Sequence, residues 1–77
     1  MDNYVGKFAI IKDGTPISSD MSQMYNHPYK IIKQTKSGLS LLLEAKVISI
    51  LSFADTVKRD EIDKSFWMYT DDCIIKD

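Results

Sequence analysis

The sequence predicts a small, mostly β domain, and three observations support this prediction. The chain has 77 residues, a length that suits one domain over residues 1–77 with a single hydrophobic core. Hydrophobic residues make up 44% of it, which is enough for a folded core and too much for a disordered segment. These residues occur in short runs rich in β-branched and aromatic side chains, and turn residues separate the runs.

The first run, residues 4–12, predicts a strand that ends at Asp13-Gly14 and Thr15-Pro16. A polar connection over residues 17–28 follows, and it is longer than the usual loop of about four to six residues. Long loops often carry binding residues. Residues 29–43 then predict a β-hairpin, in which Gly38 suits the left-handed position of the turn.

Residues 39–57 are compatible with both a helix and strands. Six apolar residues recur at spacings of three and four, as on one face of a helix: Leu39, Leu43, Val47, Ile50, Ala54 and Val57. Further apolar residues would cover the other faces of that helix, in a domain too small to surround it. The cluster from Val47 to Ile50 also suits a sheet. We therefore favour strands, with an α+β fold containing a helix over residues 39–57 as the alternative.

The last third of the chain predicts a loop followed by two short strands. Residues 57–64 are mostly charged and predict an exposed loop or a single helical turn. Residues 65–69 and 73–76 are apolar runs that predict strands. The intervening Thr70-Asp71-Asp72 suits a 3₁₀ corner.

Three segments together resemble the small SH3-like β-barrels of KOW and Tudor modules. They are VGKFAIIKDG at residues 5–14, YKIIKQTKSGLSLLL at 29–43 and FWMYTDDCIIKD at 66–77. The resemblance implies a barrel of about five short antiparallel strands, with a polar 3₁₀ corner before the last strand. The abundance of Ile, Lys, Asp, Ser and Tyr also resembles small phage-encoded regulators.

Histidine and cysteine, two residue types that often act in catalysis and metal binding, occur once each. His27 and Cys73 are the only residues of their kinds, so they could form one nucleophile and base pair but no disulfide framework. Cys73 lies in a predicted strand, where a free cysteine is usually a small buried residue. Asp71 and Asp72 lack the spacing of a calcium loop and predict a solvated turn. We expect no enzymatic activity, no catalytic or metal site and no cofactor.

The chain also lacks a predicted membrane span or secretory signal. Its most apolar stretch, residues 39–54, includes Glu44 and Lys46 and is shorter than the roughly 20 residues of a membrane helix. The amino end has no basic region before an apolar run. We expect a reducing cytoplasmic location, where a lone reduced cysteine is ordinary.

A protein-binding surface is predicted from exposed soft and aromatic side chains. Met21, Met24 and Tyr25 lie in the polar loop, and such residues are enriched where partners dock. If Phe66 and Met68 fill the core, their neighbours Trp67 and Tyr69 face solvent; the alternative places Trp67 in the core. The predicted protein-binding residues are Met24, Tyr25, Trp67, Tyr69, Asp71 and Asp72.

A nucleic-acid-binding surface is the alternative, because the charge is divided unevenly. Residues 1–46 contain six lysines against four acids, whereas residues 47–77 contain four basic residues against seven acids. Basic and aromatic residues together can hold phosphates and stack bases. Lys30 and Lys33 differ by three positions, which predicts opposite faces of a regular strand. The residues of this alternative site are Tyr25, His27, Tyr29, Lys30, Lys33 and Lys36.

The net charge of -1 favours a protein partner, since proteins that grip phosphates usually carry a basic excess. We therefore predict a non-enzymatic binding module, a regulator or inhibitor that docks onto another protein. Nucleic-acid binding through the loop and hairpin is one alternative. A structural homo-oligomer joined through open strand edges is another.

Overall fold

The computed structural model of the chain describes residues 3–19, 23–53 and 55–77. Within these ranges, seven strands and one short 3₁₀ turn follow each other: β1 Phe8–Ile11, β2 Tyr29–Gln34, β3 Ser40–Leu43, β4 Lys46–Phe53, β5 Thr56–Asp63, β6 Phe66–Tyr69, η1 Thr70–Asp72 and β7 Cys73–Lys76. The described ranges contain no α-helix, and none of their helical structure is long and apolar enough to cross a membrane. The predicted mostly β class is confirmed, and the helix over residues 39–57 is wrong.

Five of the strands form one antiparallel sheet in the order β6-β3-β2-β1-β7. The core lies on one face of this sheet because inward and outward residues alternate along each strand. Its fully buried large side chains are Ile11, Ile31, Leu41 and Leu43. Smaller or partly polar members complete the core: Ala9, Tyr29, Ala45, Met68 and Cys73.

The sheet is curved, as the short link between its two outer strands requires. β6 ends at Tyr69 and β7 begins at Cys73, so four Cα steps span at most about 14 Å. A flat sheet would separate these strands by four spacings, or about 19 Å. The predicted 3₁₀ corner, η1, is confirmed as this link. Among the described strands, β6 and β7 form no ladder with each other.

The hairpin predicted over residues 29–43 is confirmed as β2 and β3. Its turn is closed by the N–H of Gly38, which donates to Thr35 O at 2.9 Å, and by the N–H of Thr35, which donates to Ser40 O at 3.0 Å. Gly38 has φ of 73°, in the left-handed region that favours glycine. The strand expected over residues 4–12 is shorter, and β1 covers only Phe8–Ile11.

A β-bulge interrupts the pairing of β2 with β3. Ile31 faces Leu43, but Lys33 faces Leu42, so the register shifts by one residue between Ile31 and Lys33. A bulge of this kind changes which face the following side chains occupy. Lys33 therefore lies on the outer face, as Lys30 does, and the predicted separation of these lysines onto opposite faces is wrong.

The strands β4 and β5, joined by residues 54 and 55, form a two-stranded hairpin that we call the arm. Its register continues that of β3 and β6, since Leu43 faces Phe66 and Lys46 faces Asp63. The molecule is correspondingly elongated, with principal dimensions of 53 × 24 × 19 Å.

The loop or helical turn predicted over residues 57–64 is wrong, because residues 57–63 belong to β5. Most of β5 is exposed on both faces, so no buried face imposes the apolar alternation by which a strand is normally identified. Its charged composition therefore resembles that of a loop.

Candidate protein-binding groove

β6 separates core and surface residues by simple alternation. Met68 points into the core and is 9% exposed, whereas its neighbours Trp67 and Tyr69 are 52% and 69% exposed. Both aromatic residues lie on the outer face, where Trp67 faces Leu42 and Tyr69 faces Ser40 on β3. The structure thus places Trp67 outside the core and beside a second exposed aromatic ring.

An open groove with a volume of about 510 Å³ runs beside these two rings. The loop after β1 borders it together with β3, β6 and η1. Its lining residues are Thr15, Pro16, Gln23, Ser40, Trp67, Met68, Tyr69 and Asp72. Four of these eight residues are aromatic or apolar and four are polar, so the groove offers both apolar contact surface and hydrogen-bonding groups.

Lys12 fixes the loop side of the groove to η1. Its backbone N–H donates to Asp72 O at 2.8 Å, and its Nζ donates to Asp71 O at 2.8 Å. The hydroxyl of Tyr25 donates to Thr15 O. The bonds from Lys12 thus attach the start of the loop to η1, and the bond from Tyr25 joins the two halves of the loop, whose Thr15 and Pro16 line the groove with Trp67 and Tyr69.

The other end of η1 is fixed to the turn between β2 and β3. The N–H of Thr70 donates to Leu39 O at 2.9 Å, and its Oγ1 donates to Gly38 O at 2.5 Å. These bonds connect the groove to the turn at Gly38. Binding residues placed on strands and fixed turns need little ordering on association, which favours affinity.

The predicted protein-binding residues are divided among three places. Trp67, Tyr69 and Asp72 line the groove. Asp71 is exposed in η1 next to Asp72, and Tyr25 supports the loop without lining the groove. Met24 lies elsewhere, against a smaller cavity of about 190 Å³. The methionine predicted to accompany it, Met21, lies outside the described residues.

The smaller cavity is located where the arm leaves the five-stranded sheet. Residues from the loop, the core and β4 surround it: Met24, His27, Tyr29, Glu44, Ala45, Lys46 and Val47. Tyr29 is 3% exposed and packs edge to face against His27 and Phe66, with centroid distances of 4.6 and 5.2 Å. Its hydroxyl accepts a hydrogen bond from the N–H of Met24 at 2.9 Å. Tyr29 is thus a core residue with no free ring face.

The other residues of the predicted nucleic-acid site are exposed. His27 lies at the surface of the loop, and Lys36 lies in the turn between β2 and β3. Lys30 and Lys33 share the outer face with Trp67, because the bulge brings Lys33 to that side. The structure therefore places two lysines on the same face as the rings of Trp67 and Tyr69.

Cys73 and His27 are not placed as a nucleophile and its base. Cys73 is buried in the core, and His27 is exposed in the loop. Burial, together with the neighbouring carboxylate of Asp72, raises the pKa of the Cys73 thiol to about 11. A thiol with that pKa is protonated at neutral pH and is a weak nucleophile. The described residues contain no cluster of three or more His, Cys, Asp or Glu that could hold a metal ion.

Five residues of the groove were not predicted as site residues: Thr15, Pro16, Gln23, Ser40 and Met68, the last of which was predicted as a core residue. Thr15 and Pro16 were interpreted only as the end of a strand. Their proximity to β6 depends on the curvature of the sheet, which no local pattern of the sequence indicates.

Comparison with protein-family models, with curated proteins and with solved structures finds no match to this chain.

Proposed function

We propose that this protein is a non-enzymatic binding module that regulates or inhibits another protein by docking a segment of that protein in the groove. The exposed pair of Trp67 and Tyr69 beside the 510 Å³ groove is the observation that carries this proposal. Tryptophan and tyrosine are enriched among the residues that dominate protein-protein affinity, because they bury a large rigid surface.

The carboxylates near the groove define the kind of segment that fits. Asp72 lines the groove, and Asp71 is exposed beside it. A partner segment with an aromatic or apolar anchor and a neighbouring lysine or arginine would match both the rings and these charges. The groove is large enough for such an anchor, since small-ligand sites occupy about 300 to 1,000 Å³.

We also propose that the five-stranded sheet is a partly open SH3-like barrel. Its curvature and the 3₁₀ turn between the two outer strands support this assignment. In this interpretation the arm is an extension of the hairpin formed by β3 and β6.

Selection from a random peptide library tests the proposed function. Trp67 is the only tryptophan, so a selected peptide that enters the groove should change its fluorescence on titration. Tyr69→Ala should weaken binding at least tenfold, because it removes one of the two aromatic contact surfaces. Ile74→Ala is the matched control, since Ile74 is another exposed large side chain and does not line the groove. Selected peptides that bind the Tyr69→Ala and Trp67→Ala variants as tightly as the parent chain would refute the proposal.

Nucleic-acid binding is the second candidate, and the shared outer face of Lys30, Lys33 and Trp67 favours it. Fluorescence anisotropy with labelled single- and double-stranded DNA and RNA, at about 50 and 200 mM salt, tests this function. Lys30→Glu with Lys33→Glu should weaken binding and reduce the slope of log affinity against log salt by about two. Lys58→Glu with Arg59→Glu makes the same charge change in the arm and should leave the slope unchanged. Binding that does not vary with salt would exclude this candidate.

A further inference from the structure

The arm leaves apolar side chains and a strand edge without a partner. Among the described strands, β4 pairs only with β5, and neither pairs with the five-stranded sheet. Ile48, Ile50 and Val57 share one face of the arm, and each is more than half exposed. The arm continues the register of β3 and β6 but has only two strands, and two-stranded ribbons are marginally stable in water, so pairing with a further strand would stabilise it.

The two outer edges of the arm differ in how well they are protected against pairing with another strand. β5 contains Lys58, Arg59, Asp60 and Glu61, and charged side chains on an edge strand discourage pairing with other strands. β4 has no charged residue after Lys46, from Val47 to Phe53. Its outer edge is therefore the one that remains open to another strand.

The backbone bond at the base of the arm determines which groups of β4 point outward. The N–H of Lys64 donates to Ala45 O at 2.8 Å, so Ala45 and Lys64 occupy a hydrogen-bonded position of the ladder, although the N–H of Ala45 donates to Ser65 Oγ. Hydrogen-bonded and non-hydrogen-bonded pairs alternate along an antiparallel ladder. Ile48 and Ile50, three and five positions beyond Ala45, therefore direct their N–H and C=O groups to the open edge.

We propose that the open edge of β4 pairs with β4 of a second copy of this chain, antiparallel and around a twofold axis at Ser49. The sequence Val-Ile-Ser-Ile-Leu at residues 47–51 is nearly palindromic about Ser49. A twofold axis at Ser49 therefore places apolar residues opposite apolar residues, and serine opposite serine. Such self-complementarity is what an isologous interface requires.

This arrangement gives hydrogen-bond partners to the backbone N–H and C=O groups that β4 directs outward. Ile48 forms a hydrogen-bonded pair with Ile50 of the second copy, and the reverse pair forms by symmetry. Lys46 pairs with Ser52 in the same way, so the two strands exchange about eight hydrogen bonds. The product is a four-stranded sheet with the unprotected strands at its centre and the charged β5 strands at its edges. The two five-stranded sheets lie at opposite ends, and the groove is outside the interface because no arm residue lines it.

The dimer should depend on concentration, because pairing through one strand buries less than the roughly 1,200 Å² of a stable interface. Sedimentation velocity of the full chain, from about 5 μM to about 1 mM, should show a monomer converting to a dimer. Ile50→Pro removes an outward N–H and keeps the bonds between β4 and β5, so it should abolish the dimer. Val57→Pro is the matched control, because the N–H of Val57 points to the outer edge of β5. It should leave dimerisation unchanged.

A cysteine crosslink tests the register on an intact strand. In the proposed pairing the two Ser49 residues face each other in a non-hydrogen-bonded pair, with Cα atoms about 4.5 Å apart, a distance that a disulfide can span. Ser49→Cys should therefore give a disulfide-linked dimer under mild oxidation. The two Ser52 residues would be about 20 Å apart, so Ser52→Cys should crosslink much more slowly, although Ser52 is the more exposed serine.

Three results would overturn the proposal. The first is a strict monomer over the whole concentration range. A chain whose arm pairs only with a strand of a different protein, and not with a second copy, would also give this result. The second is a dimer that Ile50→Pro leaves intact while circular dichroism shows that the variant is folded. The third is crosslinking of Ser52→Cys that equals or exceeds that of Ser49→Cys.

Discussion

Met68 and Tyr69 are neighbours in β6, but their side chains lie on opposite faces of the sheet, so replacing each with alanine should have different effects. Met68 is 9% exposed and contributes to the core. Truncating a buried methionine to alanine costs about 2 to 5 kcal/mol of unfolding free energy, because it removes apolar contacts and leaves a cavity.

Tyr69→Ala should cost much less. Tyr69 is 69% exposed, so folding buries less than a third of its surface, about 60 Å². At about 25 cal/mol per Å² this burial contributes at most about 1.5 kcal/mol. A domain of 77 residues has a total stability of about 4 to 11 kcal/mol, so Met68→Ala removes a large share of it.

Urea unfolding followed by far-UV circular dichroism measures both variants on the same scale. Equal slopes of unfolding free energy against urea concentration would show that the two variants expose a similar surface area when they unfold. We expect a lower midpoint for Met68→Ala and a nearly unchanged midpoint for Tyr69→Ala. A Tyr69→Ala variant as unstable as Met68→Ala would place Tyr69 in the core and refute the assignment of β6 faces on which the groove depends.

Further predictions concern the core thiol, one turn and the base of the arm. Because the pKa of Cys73 is raised to about 11 in the folded chain, stability should fall between about pH 9 and pH 11, where only the unfolded thiol ionises. Cys73→Ala should lack this part of the pH dependence in urea titrations, and an identical fall in both proteins would contradict the assignment. Gly38→Ala should lower the unfolding free energy by about 1 kcal/mol, because its positive φ suits glycine, whereas Gly38→Asn should cost less. Equal losses for the two variants would show that φ is not the cause. Hydrogen bonds from the Oγ and the N–H of Ser65 lower the pKa of Asp63, so Ser65→Ala, which removes the Oγ bond and keeps the N–H bond, should raise that pKa in an NMR titration. An unchanged pKa would mean that the bond from Oγ does not form in solution.

The sequence is sufficient to predict the elements whose pattern is local. The hairpin of β2 and β3 follows from β-rich runs on either side of Gly38, and the corner at Thr70–Asp72 follows from polar residues between two apolar runs. In each case the turn residue and the neighbouring strands indicate the same structure. Such agreement between local and wider signals makes a prediction dependable.

The features that were missed depend on contacts distant in sequence. β5 has no buried face, so its charged residues give no periodic signal. The bulge between Ile31 and Lys33 is visible only in the pairing of β2 with β3, and it reverses the predicted face of Lys33. Pro16 becomes a groove residue only because the sheet curves until the loop after β1 meets β6. The aromatic part of the groove was predictable from alternation in β6, but its opposite wall was not.

An NMR titration of the ¹⁵N-labelled chain with a library-selected peptide tests the proposed docking groove most directly. We expect the largest shift changes at backbone N–H groups around the groove, at Thr15, Gln23 and Tyr69, and at the indole N–H of Trp67. Shift changes confined to the arm, or to Lys30 and Lys33, would contradict the account and place the binding surface elsewhere on the molecule.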